Sequence, residues 1–417
     1  MNIHQWLEYI ESLHPKAMDL GLDAVREVGT RAGILKPTCP VVLVAGTNGK
    51  GSTIYALEKL LRQSHKKVGC YTSPHLCQFN ERIRLNGTDV SDQSLIFAFE
   101  FIEHHRKNTP LTYFEFTTLA AFYLFQQSVE PLDILLCEVG LGGRLDAVNC
   151  LEPDLSIITT IDYDHEDWLG HDLEKIAFEK AGILRFGQPC IIGSGITQQS
   201  LAKRVQELKS TAYYAEKDFQ WTDKQCLRWE MQGISVDVPQ NHLPENSVSV
   251  ALAAYNNLRS VISLLPISEI VCCLTNCFVP GRFQIKKIEG GPQIIMDVAH
   301  NKQSCQYLKS RLLKNGVPGK SIAVWAMLSD KPTSYVVQTF KALFSMWCVP
   351  ELDVGRALSA HQLAMMLEQE GAVGICQFET VAVALSHAIQ SAEEQDQIVV
   401  FGSFHVVGDA ITYLKKY

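Results

Sequence analysis

Val44-Ala45-Gly46-Thr47-Asn48-Gly49-Lys50-Gly51-Ser52-Thr53 is the stretch that decides the fold. An apolar run ends, glycines turn the chain, a lysine follows, and hydroxyl residues open a segment with helical spacing at Ile54, Leu57, Leu60 and Leu61. A strand, turn and helix in this order suit a phosphate group. Glycine exposes backbone N–H groups, Lys50 adds a point charge, and the helix N-terminus adds its positive dipole end. A hydroxyl such as that of Ser52 suits Mg2+. Compared with GxxxxGK[ST], the loop is two residues shorter and Gly51 follows the lysine. The competing reading is an ordinary Gly/Asn turn before a helix.

Outward from this loop, strand and helix patterns alternate. Strands are expected at 41–45, 67–71, 133–139, 155–161 and 189–193, with helices at 52–63, 93–106, 115–128 and 173–184. This rhythm predicts a parallel sheet covered on both faces. Residues 212–240 carry Tyr213, Tyr214, Trp221 and Trp229 with short alternation, which predicts antiparallel strands. A long helix is expected over 246–265. After the turn at 279–282 and the loop at 289–292, a second alternation begins. Its strands are expected at 293–297, 322–325, 345–349 and 397–401, with helices at 302–314, 333–343, 359–369 and 379–392. The expected organisation is an N-terminal α/β domain over 1–285, a linker at 286–290 and a smaller Rossmann-like α/β domain over 291–417.

Composition narrows the function. At roughly 150 residues per domain, 417 residues make two or three domains. Apolar residues at 47% and charged residues at 20% exclude a fibrous or disordered chain. A net charge of −8 with no Lys/Arg block disfavours nucleic acid as a partner. The apolar stretch 261–274 is broken by Ser263, Pro266, Ser268 and Glu269, so it cannot span a membrane. Residues 1–16 read as an amphipathic helix and not as a signal peptide, since Glu8 and Glu11 interrupt them. The 13 cysteines are scattered without a CxxC pair, pointing to reduced thiols and the cytoplasm.

Several residues carry chemistry on their own terms. Glu138 closes an apolar strand, and a carboxylate at the carboxyl end of a parallel strand sits at the ligand edge of the sheet, where it can hold Mg2+. The alternative is a solvent-exposed strand end. His165 lies in an acidic loop at the same edge, although a lone His is more often structural. Arg82 and Arg84 flank Ile83, so both face one side of a strand. They fit either a substrate carboxylate or a solvated face. For Tyr113 and Phe114 the residues alone favour core packing.

The phosphate loop resembles that of the Mur ligases, and Gly51 after the lysine resembles their folylpolyglutamate synthase branch. The same resemblance runs through Tyr71-Thr72-Ser73-Pro74-His75-Leu76, Glu81-Arg82-Ile83-Arg84, Leu111-Thr112-Tyr113-Phe114-Glu115 and Glu138-Val139-Gly140-Leu141-Gly142-Gly143-Arg144-Leu145-Asp146-Ala147. It continues through Asp164-His165, Glu179-Lys180-Ala181-Gly182-Ile183, Pro280-Gly281-Arg282-Phe283 and Asp297-Val298-Ala299-His300-Asn301. The motifs span nearly the whole chain in the family's order.

The resemblance implies an ATP-dependent ligase that adds L-glutamate to dihydropteroate and to reduced folates through an acyl phosphate. ATP would contact Thr47, Asn48, Gly49, Lys50, Gly51, Ser52, Asn246, Arg282, Asp297 and His300. For Asn246 a simple helix N-cap is the other reading. Two Mg2+ ions would be held by Ser52, Ser73, Glu138, His165 and Lys180, the last as an N-carboxylated lysine. The alternative for Lys180 is a plain cation. The pteroyl substrate would meet Asp19, Leu20, Gly21, Leu22, Arg82, Thr112, Tyr113, Phe114, Glu115, Leu145, Asp146 and Ala147. Ser403 and His405 are candidates for glutamate. A monomer with small-molecule partners and a site in the interdomain cleft is expected. Three alternatives are a synthase acting on folates only, a cell-wall Mur ligase and a nucleotide-gated protein without ligase activity. The cell-wall ligase is disfavoured because only about 40 residues precede the first strand, where that class normally carries an extra domain. The non-ligase is disfavoured because Lys50, Ser73, Glu138, His165 and Lys180 are all present.

Overall fold

A computed structural model describes residues 1–14, 21–164, 168, 170–223 and 227–416, so Asp19, Leu20 and His165 lie outside the described residues. The chain forms two compact units. One comprises Met1–His75 and Phe79–Cys277, the other Leu76–Gln78 and Phe278–Tyr417. Residues 286–290, expected as a linker, carry the end of a strand and the turn after it.

The first unit is built on eight strands: β1 (Val41–Ala45), β2 (Val68–Tyr71), β3 (Ile83–Leu85), β4 (Thr88–Asp89), β5 (Ile134–Glu138), β6 (Leu155–Ile158), β7 (Pro189–Ile192) and β8 (Thr211–Tyr214). Their order is β4-β3-β2-β5-β1-β6-β7-β8. The pairs from β2 to β8 are parallel, while β3 and β4 extend one edge antiparallel. β1 is central, pairing Val41 with Leu135 of β5 and Val42 with Leu155 of β6. Its Val41, Leu43 and Ala45 join a core cluster with Trp6, Val25, Phe99 and Phe116, which come from the helices Ile3–Ser12, Asp23–Ala32, Asp92–Arg106 and Tyr113–Gln126. Strand alternation turns Val42 and Val44 to the other face. The helices Lys50–Gln63 and Glu245–Leu258 pack on each other.

Two sequence expectations change here. β8 falls in the stretch expected to be antiparallel, yet it pairs parallel with β7. The antiparallel patch is a separate sheet, β9 (Phe219–Asp223), β10 (Arg228–Met231) and β11 (Ile234–Asp237). The long helix ends at Leu258, not at 265. The chain folds back there because the Leu265 N–H donates to Ser64 Oγ and the Leu265 carbonyl accepts the Tyr255 hydroxyl, at 2.7 and 2.8 Å.

The second unit holds β12 (Gln284–Lys287), β13 (Gln293–Asp297), β14 (Ser321–Trp325), β15 (Met346–Pro350), β16 (Ile375–Phe378) and β17 (Gln397–Phe401), ordered β12-β13-β17-β14-β15-β16. All but β12 run parallel. The α/β class and the pairing of a large parallel sheet with a smaller α/β unit are as expected from the sequence. Among the described residues, no helix is long and apolar enough to cross a membrane.

Candidate active site

The phosphate loop leaves the carboxyl end of β1, and its shape is enforced by close packing. At Gly46, with φ +149°, a Cβ would stand 1.9 Å from Thr159 Oγ1, so no side chain fits. Gly49, at φ +85°, caps the helix Lys50–Gln63 in the left-handed region that glycine tolerates. The loop is pinned by the end of β6. Thr47 N–H donates to the Thr160 carbonyl and Asn48 N–H to Thr160 Oγ1, each at 2.9 Å, while Thr159 Oγ1 donates to the Asn48 carbonyl at 2.6 Å. The pair Thr159–Thr160 was missed in the sequence. Its signal was a hydroxyl pair directly after an apolar strand at the ligand edge.

Lys50 Nζ donates to the carbonyls of Gly46 and Thr47, at 3.1 and 3.4 Å, and lies 4.0 Å from Glu138 Oε1. Glu138 is buried at the end of β5, and its Oε2 accepts the Ser73 N–H at 3.1 Å. A Cβ at Gly51 would lie 3.5 Å from that same Oε2, so the carboxylate rests against the first turn of the helix, where Ser52 is buried. Glu138 and the hydroxyls of Ser52 and Ser73 are hard oxygen donors, the set Mg2+ prefers, and they fit the ion. The buried location excludes the solvent-exposed strand end for Glu138.

A crevice lined by Gly46, Thr47, Lys50, residues 139–142, Asp164 and Lys180 adjoins this group. Lys180 is buried on the helix Leu173–Ala181, and its pKa falls from 10.5 to about 7. Burial is the main cause and the Lys50 charge the next, with Asp164, Asp146 and Glu179 opposing. The glycines of the 140–147 loop let it approach this helix. A Cβ at Gly143 would meet the Glu179 carbonyl at 2.8 Å, and one at Gly182 would meet Arg144 Cα at 2.4 Å. Arg144 reinforces the seam through Glu179 Oε1 at 2.8 and 3.0 Å.

The residues expected at the pteroyl substrate fall into two sets. Thr112 and Glu115 form a capping box on the helix Tyr113–Gln126, and Glu115 Oε2 accepts both the Thr112 N–H and its hydroxyl at 2.8 Å. The T-x-x-E spacing carried that signal. Asp146 is buried and caps the turn Ala147–Cys150, taking N–H donors from Leu141 and Val148 at 2.8 and 3.1 Å. Burial nevertheless raises its pKa to about 6. Phe114 packs on Gly140, where a Cβ would meet its ring at 2.7 Å. Leu22 is buried at the start of the helix Asp23–Ala32, and Gly21 just before it has open space where a side chain would go.

Arg82 and Arg84 do not share one side of a strand. Arg82 ends the 3-10 turn Phe79–Arg82, donates to His75 Nδ1 at 2.8 Å, and lies 5.7 Å from the Tyr113 ring and 5.3 Å from that of Phe79. Arg84 pairs with the buried Glu58. Neither forms a solvated face.

Asn246 is no N-cap, since Pro244 takes that position. Its side chain instead links the Thr159 carbonyl to the Ser194 N–H, each at 3.2 Å, beside the phosphate loop. In the second unit, Asp297 ends β13 and accepts the Phe283 and Ala299 N–H groups at 2.8 and 2.9 Å. Burial raises its pKa, opposed first by Arg282. His300 Nδ1 is 2.7 Å from the Val298 carbonyl. Ser403 caps the helix Phe404–Leu414, a helix not foreseen in the sequence.

A strand-end lysine loop, a buried carboxylate and a second α/β unit are features shared with the ATP-dependent ligases of the Mur type, the class to which this chain is matched. The family model for the Mur ligase middle domain matches residues 44–258, and that for the Mur ligase glutamate ligase domain matches 281–404. The dihydrofolate synthase/folylpolyglutamate synthase of Escherichia coli (strain K12) is 38% identical over 408 residues, covering 96% of this chain and 93% of the relative. That of Haemophilus influenzae is 36% identical over 426 residues, covering 97% and 96%. The structure of E. coli FolC in complex with DHPP and ADP superposes with a TM-score of 0.93 at 35% identity, covering 100% of this chain and 98% of that one. A Yersinia pestis bifunctional folylpolyglutamate synthase/dihydrofolate synthase complexed with AMPPNP and Mn gives 0.90 at 37%, with the same coverage. The chain belongs to the Mur ligase family, in its dihydrofolate synthase/folylpolyglutamate synthase group.

Proposed function

We propose that this enzyme joins L-glutamate to dihydropteroate, giving dihydrofolate, and adds further glutamates to reduced folates. The observation that carries the reading is the 38% identity to a dihydrofolate synthase/folylpolyglutamate synthase over 96% of the chain. A carboxylate is a poor acylating agent, so it is activated first. Its oxygen attacks the γ-phosphate of ATP, an O–P bond forms and ADP leaves. The glutamate amine then attacks the acyl carbon, a C–N bond forms, and orthophosphate departs. Lys50 and the backbone N–H groups of the loop hold the phosphates, and Arg282 supplies a planar donor fork to the transferring group. Divalent metal, held by Ser52, Ser73 and Glu138, adds charge neutralisation at the phosphates. Asn246, Asp297 and His300 complete the nucleotide contacts. Tyr113 and Arg82 face the pteroyl substrate. The enzyme acts as a monomer in the cytoplasm.

Lys180 serves in this reading as a carbamate. With a pKa near 7, much of its amine is neutral at physiological pH. Carbon dioxide adds at Nζ, an N–C bond forms, and a proton is lost to solvent. The product is an anionic oxygen donor, whereas an ammonium would repel a metal ion. Lys180→Arg cannot form it and should be nearly inactive, and Lys180→Ala should recover partly with added short carboxylic acids. Wild-type turnover in Lys180→Arg would leave Lys180 as a cation. For the whole reaction, purified enzyme with ATP, Mg2+ and labelled glutamate is assayed on dihydropteroate and on tetrahydrofolate. Glutamate-dependent ADP release is expected with both. Release with tetrahydrofolate alone would reduce the function to folylpolyglutamate synthesis.

A further inference from the structure

Arg84 belongs to none of the groups so far assigned a role in catalysis, yet it ties three segments together. Its Nε and Nη2 both donate to Glu58 Oε2, at 3.1 and 2.8 Å. Using a single carboxylate oxygen leaves Nη1 to reach the other way. There it donates to Thr72 Oγ1 at 3.2 Å and to the Glu81 carbonyl at 3.3 Å. Thr72 and Glu81 are the two ends of one loop, also joined by the bond from Thr72 N–H to the Arg82 carbonyl at 2.8 Å. The residue after Thr72 is Ser73, whose N–H donates to Glu138 Oε2.

The contacts close a circuit. Glu58 and Lys50 sit two turns apart on the same helix, Lys50–Gln63. One route runs from Glu58 through Arg84 and Thr72 to Ser73 and Glu138, and the other returns from Glu138 to Lys50. Glu58 is a buried charge on the apolar side of that helix, the side that carries Ile54, Leu57 and Leu61. Burying a carboxylate there is costly, and replacing the whole ion pair by hydrophobic groups of similar size would serve stability as well or better. The arrangement makes sense where the guanidinium has to hold a loop in place.

We propose that the Glu58–Arg84 pair is a positioning device that fixes the Thr72–Ser73 backbone, and through it the Ser73 and Glu138 oxygens, for divalent metal. This rests on Ser73 and Glu138 being metal ligands. Groups that orient metal ligands typically change affinity by about 10- to 100-fold when lost.

The test titrates the full-length enzyme with Mn2+ in the presence of a nonhydrolysable ATP analogue, following free Mn2+ by electron paramagnetic resonance. Arg84→Lys keeps the charge opposite Glu58, but its single nitrogen does not span the distance from Glu58 to the loop as the guanidinium fork does. Thr72→Val keeps the ion pair and removes the loop hydroxyl, which accepts from Arg84 Nη1 at 3.2 Å and itself donates to the Glu81 carbonyl at 3.5 Å. Each should weaken Mn2+ binding about tenfold. The double variant should be no worse than either single one, because both break the same link. kcat should fall in step while KM for glutamate stays put. Wild-type Mn2+ affinity in folded Arg84→Lys, or losses that multiply in the double variant, would overturn the proposal. If Arg84→Lys does not fold, wild-type affinity in Thr72→Val overturns it alone. Ser73→Ala separates the two layers. If it binds Mn2+ normally, the ligand assignment has failed. If it alone binds weakly while Thr72→Val binds normally, the positioning role has failed.

Discussion

Two parallel sheets in this molecule end in an acid at the carboxyl edge, and the acids have opposite situations. Glu138 ends β5 in the first unit and Asp297 ends β13 in the second. Glu138 takes one backbone N–H and stands 4.0 Å from a lysine on a phosphate loop. Asp297 gives one oxygen to the Phe283 N–H and the other to the Ala299 N–H, holding together a turn in which Phe283 has φ +48°. The same signal in sequence, an acid closing an apolar run, thus produces a carboxylate facing a charged loop in one sheet and a backbone clamp in the other. What separates them is the loop that follows the neighbouring strand, glycine-rich and lysine-bearing beside Glu138.

The sharpest way to probe the first sheet is Lys50→Ala. Turnover should fall by about 1,000-fold, within the range for losing a preorganised charge at a developing anion. Thermal stability should change little, because Lys50 bonds loop carbonyls and faces Glu138 at 4.0 Å without packing into a core. Near-normal turnover in the folded variant would remove the phosphate-loop assignment. Glu138→Gln should cost about 100-fold in turnover and weaken metal binding, with a melting temperature close to wild type. For Asp297→Asn stability should suffer along with turnover. One of its two N–H partners loses its acceptor, so denaturant unfolding should report a loss of about 1–3 kcal/mol. If Asp297→Asn unfolds like the wild type while Glu138→Gln is strongly destabilised, the contrast between the two acids is wrong.

The smallest effect concerns Asp146, the buried acid whose pKa is raised to about 6. A raised carboxylate binds its proton more tightly folded than unfolded, so its contribution to stability is present at low pH and declines as pH rises from about 4 to about 6. Asp146→Asn is neutral throughout. The stability gap between wild type and Asp146→Asn should therefore be wider at pH 5 than at pH 7. A constant gap would mean that Asp146 titrates as an ordinary carboxylate.

The central strands are readable because they are buried on both faces and so carry mostly apolar runs, as in Val41–Ala45 and 398–401. The edges are not. β16 is partly exposed, β4 spans only Thr88–Asp89, and β12 alternates half-buried with exposed residues. β8 failed for another reason: which partner a strand selects is settled by distant residues and leaves no local trace. The turn at 46–51 is readable in shape, since glycine is needed at fixed places such as Gly46 and Gly49. Arg84 is not. Its alternation with Arg82 around Ile83 fits a substrate carboxylate or a solvated face, and only the fold brings Glu58, two turns along the helix Lys50–Gln63, under it. Thr112 and Glu115 stand between these cases. Their cap is written in the T-x-x-E spacing, while a role toward substrate leaves no such local pattern.

Leu76–Gln78 belong to the second unit although the residues on either side of them belong to the first. Gly281 and Gly408 keep the space that Leu76 needs, since a Cβ at 408 would stand 2.2 Å from the Leu76 carbonyl oxygen and one at 281 would stand 3.0 Å from its side chain. In genetic terms the C-terminal body is not a portable cassette. A chimera spliced at Phe278 between two relatives would inherit the glycines from one parent and the tripeptide from the other. Recombination that respects this architecture has to carry codons 76–78 along with the 3′ part of the gene, and drift in either piece constrains drift in the other.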